Sequence, residues 1–245
     1  MERVPTGIDG FDELVEGGLP KGRCTLLCGG PGSGTTTFVI QFLVNGIEKH
    51  GESGVFVPLA DDPAQTKDDM KRFGWDFEKL EKESKLTVVD LSPMICLTRE
   101  QFKKAVFGVQ PPEFIVEGIA EVVKNQVKTL KTKRVVVDSF RSFMIHEPDL
   151  AERRREIAHL VKALTETGCT CLVTSEVRTA SLEREFQVEE YLAQGVILLQ
   201  TITKQDTLLR AIQVEKMRGT AHDTQPHPYV ITEREIKVSP KERIL

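Results

Sequence analysis

No apolar stretch in this sequence approaches the length a helix needs to cross a bilayer, and Met1-Glu2-Arg3-Val4-Pro5 is not followed by an apolar secretory core. No membrane role is expected, and the expected compartment is the cytoplasm. Cysteine is scarce and odd in number: the five residues are Cys24, Cys28, Cys96, Cys169 and Cys171. Four of them lie in apolar, strand-like runs, and no histidine pair completes a metal site with either close-spaced pair, so they read as core residues. Positive charge is not in excess, since 33 Lys and Arg against 37 Asp and Glu leave a net charge of −4. That balance provides no basic field for nucleic acid, and a DNA partner, though open, is not favoured by charge. The single tryptophan, Trp75, reads as packing with Phe73 and Phe77 rather than as a base-stacking platform. His50, His146, His159, His222 and His227 have no mutual spacing for a metal or a triad, and read as surface or cap residues. There is no repeat, low-complexity stretch or linker, so residues 1–245 read as one domain with Ser92 to Pro112 its longest irregular excursion.

The most informative absence is one residue in a glycine-rich loop. Gly29-Gly30-Pro31-Gly32-Ser33-Gly34-Thr35-Thr36 meets the pattern G-x-x-x-x-G-K-[ST] at every defined position except the lysine, where Thr35 stands. In that pattern the glycines let backbone N–H groups fold around phosphate oxygens, the lysine reaches the terminal phosphates, and the next hydroxyl holds magnesium. The loop keeps the cradle and loses the charge. The apolar run Cys24 to Cys28 precedes it and a helical pattern with Phe38, Gln41, Phe42 and Val44 follows, so the context is strand, loop, helix. Gly30, Pro31, Gly32, Ser33, Gly34, Thr35, Thr36 and Thr37 are the candidate nucleotide contacts, with Thr36 the candidate metal hydroxyl.

Along the rest of the chain, Val/Leu/Ile-rich runs alternate with helical stripes, the signature of a mostly parallel sheet covered by helices. The expected strands are Cys24 to Cys28, Val55 to Leu59, Leu86 to Asp90, Arg134 to Asp138, Thr170 to Ser175 and Gly195 to Gln200. Leu208 to Val214 and a terminal segment from Tyr229 to Val238 are expected to add antiparallel strands at one edge. Asp62 followed by Pro63 reads as the N-cap and first-turn proline of a helix running toward Met70 and Phe73. Ile119, Val122, Val123, Val127 and Leu130 make one apolar stripe, Ile157, Leu160, Val161 and Leu164 another, and Gly168 closes the second helix. Arg153-Arg154-Arg155, like Lys128, Lys131, Lys133 and Arg134, reads as solvated charge.

A phosphate loop needs an acidic residue at the end of a neighbouring apolar strand, and Arg134-Val135-Val136-Val137-Asp138 supplies it. Asp138 is the second candidate magnesium residue, with a helix cap by Asp138 or Ser139 the plainer alternative.

At this point the chain resembles the KaiC-like ATPases of the RecA superfamily, including the single-domain archaeal members that stand beside the RadA recombinases. The marks are Pro5-Thr6-Gly7-Ile8-Asp9, Gly17-Gly18-Leu19-Pro20, Phe73-Gly74-Trp75-Asp76, Asp138-Ser139, Thr174-Ser175-Glu176, Gly195-Val196-Ile197 and Lys216-Met217-Arg218-Gly219-Thr220. The resemblance implies a RecA-like core that binds ATP or ADP with Mg and assembles as a homo-oligomer, commonly a hexameric ring with nucleotide between subunits. In that arrangement Lys216 and Arg218 look across the interface to the neighbour's phosphates, where cations stabilise the charge that develops in phosphoryl transfer. The chain departs from the family at three places: Thr35 replaces the loop lysine, Ala60-Asp61 replaces a pair of glutamates, and Gln194 replaces an aspartate. Asp61 would inherit the role of activating water, one methylene short. Slow or absent hydrolysis is the expectation. That makes the protein a nucleotide-gated regulatory or recombination-related scaffold, and the alternative is an active ATPase using Lys216 and Arg218 in trans. Lys21 lies before the strand and Lys49 is expected beyond the following helix, so neither replaces the loop lysine. The segment Arg178 to Glu190, where recombinases of the superfamily track single-stranded DNA, sets Glu183, Glu185, Glu189 and Glu190 against Arg178 and Arg184, which does not suit a phosphate backbone.

Overall fold

The computed structural model describes residues 1–91, 113–139, 150–176, 187–204 and 207–244. The expected excursion from Ser92 to Pro112, with Cys96, His146 and most of the segment from Arg178 to Glu190, lies outside the described residues. In chain order the elements are β1 (Arg3–Val4), α1 (Phe11–Leu14), β2 (Leu19–Pro20), β3 (Cys24–Gly29), α2 (Thr35–His50), β4 (Gly54–Pro58), α3 (Pro63–Lys71), α4 (Phe77–Lys82) and β5 (Leu86–Val88). They continue with α5 (Glu113–Leu130), β6 (Arg134–Asp138), α6 (Leu150–Glu166), β7 (Thr170–Glu176), α7 (Val188–Leu192), β8 (Gly195–Lys204), β9 (Thr207–Met217), β10 (His227–Ile231) and β11 (Ile236–Val238).

Nine strands form one sheet in the order β11-β10-β9-β8-β3-β7-β6-β4-β5. From β8 to β5 every pairing is parallel, whereas β9, β10 and β11 are added antiparallel at one edge. This is the α/β arrangement the alternation of periods predicts, with two refinements. The expected terminal strand from Tyr229 to Val238 is a hairpin of two short strands, because Thr232 turns the chain: its backbone N–H and side-chain hydroxyl both donate to the Glu235 carbonyl. A separate pair, β1 with β2, was not anticipated, since two-residue strands leave no periodic signal.

The parallel strands are apolar on both faces because both are covered. On one face α2 packs Phe38, Phe42 and Leu43 with Leu27, Phe56, Val136 and Leu172. On the other, Ile119 and Val123 of α5 and Ile157, Leu160 and Leu164 of α6 pack on Val57, Val135, Val137 and Val173. Asp62 caps α3 as expected, accepting from the Ala64 N–H at 2.8 Å. Trp75 is buried and stacks on Phe73 with ring centroids 4.8 Å apart. Cys24, Cys28, Cys169 and Cys171 are buried core residues, and burial pushes the Cys24 thiol up to about 12.

Three expectations are corrected. Arg134 is not solvated: its side chain is 0% exposed, Nε donates to Glu52 at 2.7 Å, Nη1 donates to the Phe42 carbonyl at 2.9 Å, and the guanidinium lies 4.5 Å from the Phe42 ring centroid. Arg134 is the first residue of β6, and nothing in its local sequence marks it as buried, because its partners Glu52 and Phe42 come from elsewhere in the chain. Lys49 lies within the last turn of α2, not beyond it, and donates to the Gly7 carbonyl. His227 is buried rather than superficial, its Nε2 3.3 Å from Asp223. Glu189 and Glu190, whose charges the sequence weighs against a phosphate backbone without placing them, are both buried on α7.

Candidate nucleotide site

The loop 30–34 leaves β3 at its C-terminal end and opens α2. Gly32 and Gly34 take left-handed φ angles of 74° and 85°, which a β-carbon disfavours. A β-carbon on Gly34 would also stand 2.6 Å from Ile231 Cδ1, so the loop lies directly on the C-terminal hairpin. No side chain caps the start of α2, and its first turn holds no acidic residue. The first N–H groups of a helix have no partner inside it, and together with the helix dipole they favour an anion there.

Thr35 begins the helix with its methyl turned back toward β3, 2.6 Å from where a β-carbon on Gly29 would stand; the Ser33 hydroxyl is 2.4 Å from the same point. Thr36 meets Asp138. That carboxyl, at the end of β6, accepts a hydrogen bond from the Thr174 hydroxyl and another from Thr36. Burial raises the Asp138 pKa above the ordinary carboxylate range and the nearby Asp61 charge pushes the same way, against the two hydroxyl hydrogen bonds. Thr36, Asp138 and Asp61 are thus brought together from three elements at the C-terminal ends of β3, β6 and β4. Ser33 Oγ and Ser139 Oγ, both buried, have no partner among the described residues. Orphaned hydroxyls in the loop and beside the carboxyl, with free helix N–H groups, fit a phosphate and a hard cation on oxygen ligands.

Lys216 and Arg218 stand elsewhere. Lys216 pairs with Val196 and Val196 with Leu26, so both cations sit at the end of the sheet opposite the loop. Four residue steps along the strand separate Leu26 from Gly30, about 13 Å. Lys216 Nζ donates to the carbonyls of Glu190 at 2.8 Å and Tyr191 at 3.2 Å, and Arg218 is exposed. Gln194 Oε1 accepts from the Cys24 N–H at 2.8 Å, a structural tie between the starts of β8 and β3.

Two residues that sequence reasoning missed hold the loop. The buried Tyr229 hydroxyl donates to the Ser33 carbonyl, and Arg210 Nη2 donates to the Gly32 carbonyl at 3.5 Å. They lie 196 and 178 residues from their partners, and no local pattern connects them to the loop. Arg210 thus brings a guanidinium to the loop from the antiparallel edge. Beyond Ile231 a cavity of about 610 Å³ is lined by Asp69, Arg72, Phe73, Thr232 and Glu233.

A glycine-rich loop between strand and helix, with an acidic residue at the end of β6, on a parallel sheet extended by antiparallel strands, defines a RecA-like nucleotide-binding core. The family model described as "ATPase: KaiC" matches residues 4–243, and the chain belongs to that family. It is 38% identical to a UPF0273 protein of Methanopyrus kandleri, over 98% of this chain and 93% of that one. It is 35% identical to the circadian clock protein KaiC3 of a Synechocystis strain, over 94% of this chain but 44% of that protein. Among solved structures, the KaiC-like protein PH0186 of Pyrococcus horikoshii aligns with a TM-score of 0.81 and 36% identity, over 98% of this chain and 99% of that one. The family is one of ATP-binding proteins of the RecA superfamily. Among the described residues, no helix is long and apolar enough to cross a membrane.

Proposed function

We propose that this protein is a nucleotide-gated scaffold: it binds Mg-ATP or Mg-ADP at the loop, assembles with copies of itself into a ring, and hydrolyses ATP slowly or not at all. It acts in the cytoplasm on a protein partner, in regulation or recombination, rather than on DNA. The observation that carries this reading is the contrast within the site. The cradle, the helix terminus, Thr36 and Asp138 are in place, whereas Thr35 turns a methyl to β3 where a lysine would extend toward phosphate. Gly30, Pro31, Gly32, Ser33, Gly34 and Thr37 would hold the phosphates, Thr36 and Asp138 the magnesium, and the cavity beyond Ile231 the nucleoside. Magnesium would supply charge neutralisation at the terminal phosphates. The missing lysine is worth roughly 1.5 to 3 kcal/mol as a charge-assisted contact, or about 10- to 150-fold in affinity. Binding survives such a loss more readily than hydrolysis, which needs the charge most as the leaving group develops.

A second reading, ATP turnover assisted in trans, draws on one observation: Lys216 and Arg218 lie at the end of the sheet away from their own loop, so any phosphate they served would have to sit on another copy's loop. Equilibrium binding of Mg-ATP and Mg-ADP to the wild type and Thr35→Lys, with phosphate release followed on the same samples, tests both. Binding without release supports the scaffold. Release that falls on mutating Lys216 or Arg218 supports the ATPase, and no binding by the wild type with rescue by Thr35→Lys means that the site has lapsed.

A further inference from the structure

β7 ends beside the loop, where Ser175 pairs with Cys28 and Glu176 with Gly29. Successive side chains of a strand face opposite sides of the sheet. Thr174 accordingly faces α2, where its hydroxyl donates to Asp138. Ser175 faces α6 and α7, where its hydroxyl donates to Glu189 Oε1 at 3.1 Å. Two adjacent residues thus join the candidate metal carboxyl to a second carboxyl on the far side of the sheet.

Glu189 is an unusual residue to find there. It is 3% exposed. Its Oε2 has no hydrogen-bond partner among the described residues, and neither has Nε of Arg153, whose Nη2 stands 3.8 Å from Glu189 Oε1. A buried polar atom left without a partner costs on the order of 1 to 3 kcal/mol. Covering β7 and β8 does not require that cost, because an apolar residue would cover them without it. In the same five-residue helix, Lys216 Nζ donates to the carbonyls of Glu190 and Tyr191, the two residues that follow Glu189, groups that a helix cannot satisfy internally. An ammonium has three protons to donate. Two of those on Lys216 are committed to its own chain.

We infer that α7 is a lever between the nucleotide site and Lys216: Ser175 and Glu189 are positioning residues that carry the state of the Asp138 end of β7 into α7, which holds Lys216 until that contact shifts. The inference rests on the reading that Lys216 serves a neighbouring loop. A cation on Asp138 competes with the Thr174 hydroxyl for the carboxylate, and the backbone that turns Thr174 also turns Ser175. Glu189 is followed directly by Glu190 and Tyr191, so a shift at its carboxyl reaches the carbonyls that hold Lys216. In the arrangement described, Lys216 is clasped in cis and unavailable to a neighbour.

The test is the acetylation rate of Lys216 in the intact chain, read by peptide mass spectrometry and normalised to the exposed Lys128 and Lys241. It is run at dilutions that sedimentation shows to be monomeric, where no neighbour can shield the amine. A fluorescent ATP analogue with magnesium reports binding in the same samples. A several-fold rise in Lys216 labelling on nucleotide binding in the wild type is expected, with no such response in Ser175→Ala or Glu189→Gln that still bind. Unchanged wild-type labelling despite binding, or an undiminished response in both variants, overturns the lever and leaves the nucleotide reading standing. The wild-type arm decides by itself if a variant fails to fold. Absence of binding, or an affinity of the assembled protein that Lys216→Ala does not weaken, removes the underlying reading and the lever with it.

Discussion

Gly46 sits inside α2, the helix that begins at the phosphate loop, and intrinsic propensity says that alanine there should stabilise by about 1 kcal/mol. The structure predicts the opposite. A β-carbon on Gly46 would stand 2.2 Å from Arg134 Nε, 2.4 Å from Cδ and 2.6 Å from Cζ. Arg134 has little room to yield, because Glu52, the Phe42 carbonyl and the Phe42 ring hold its guanidinium in a wholly buried position. Making room means breaking the pair with Glu52, and a buried charge left without its partner costs roughly 3 to 5 kcal/mol. Subtracting the helix gain leaves a net destabilisation of roughly 2 to 4 kcal/mol for Gly46→Ala. For a chain of this size that corresponds to a fall in Tm of about 4 to 16 °C. Chemical denaturation of the wild type, Gly46→Ala, Arg134→Met and the double variant forms a cycle that isolates the clash. In the Arg134→Met background the alanine should become neutral or stabilising. A Gly46→Ala protein as stable as the wild type, or the same loss in both backgrounds, would refute the reasoning.

The remaining predictions concern the site. Burial holds the Asp138 carboxyl above its ordinary range, so the folded protein keeps that proton more readily than the unfolded chain does. The stability linked to it is present below the unfolded value near 3.9 and is lost as pH rises through the folded value. Asp138→Asn should therefore raise the Tm of nucleotide-free protein at neutral pH while abolishing the further rise that Mg-ATP gives the wild type; a lower Tm for the variant without ligand would contradict this. Tyr229→Phe removes the donor to the Ser33 carbonyl, and about 1 kcal/mol should appear as a roughly fivefold weaker affinity for Mg-ADP. Unaltered affinity would show that the hairpin does not order the loop. Asp62→Ala should cost about 0.5 to 2 kcal/mol through loss of the α3 cap and leave nucleotide binding unchanged, which denaturation and binding on one sample will check.

Much of the architecture was legible because its signals are local. Alternating apolar runs and helical stripes predicted the parallel strands from β3 to β8. The Asp-Pro start of α3, the glycine close after α6 and the strand-loop-helix context of residues 24–44 are chemistry among neighbours in sequence. So are the conformational demands at Gly32 and Gly34. Short contiguous motifs also sufficed to nominate Thr36 and Asp138, and those two do meet.

What failed to show were relations between distant residues. Arg134 read as surface charge because its partners Glu52 and Phe42 come from other elements, and only packing α2 over β6 desolvates it. Glu189 entered the sequence reading only as one of several acids in a segment, and only the fold sets it against Ser175 of β7. Tyr229 and Arg210 touch the loop from the antiparallel edge, a contact set by the order in which strands assemble and not by spacing along the chain. The motif that contains Lys216 gave no sign that its ammonium donates to the carbonyls of Glu190 and Tyr191 in α7. Sequence by itself determined the backbone conformations and the residue types of the loop and its acidic strand, since steric limits and side-chain chemistry act over a few residues. Tertiary structure decided which charges are buried and which are paired, because desolvation and hydrogen bonding depend on what the whole fold brings within a few ångströms.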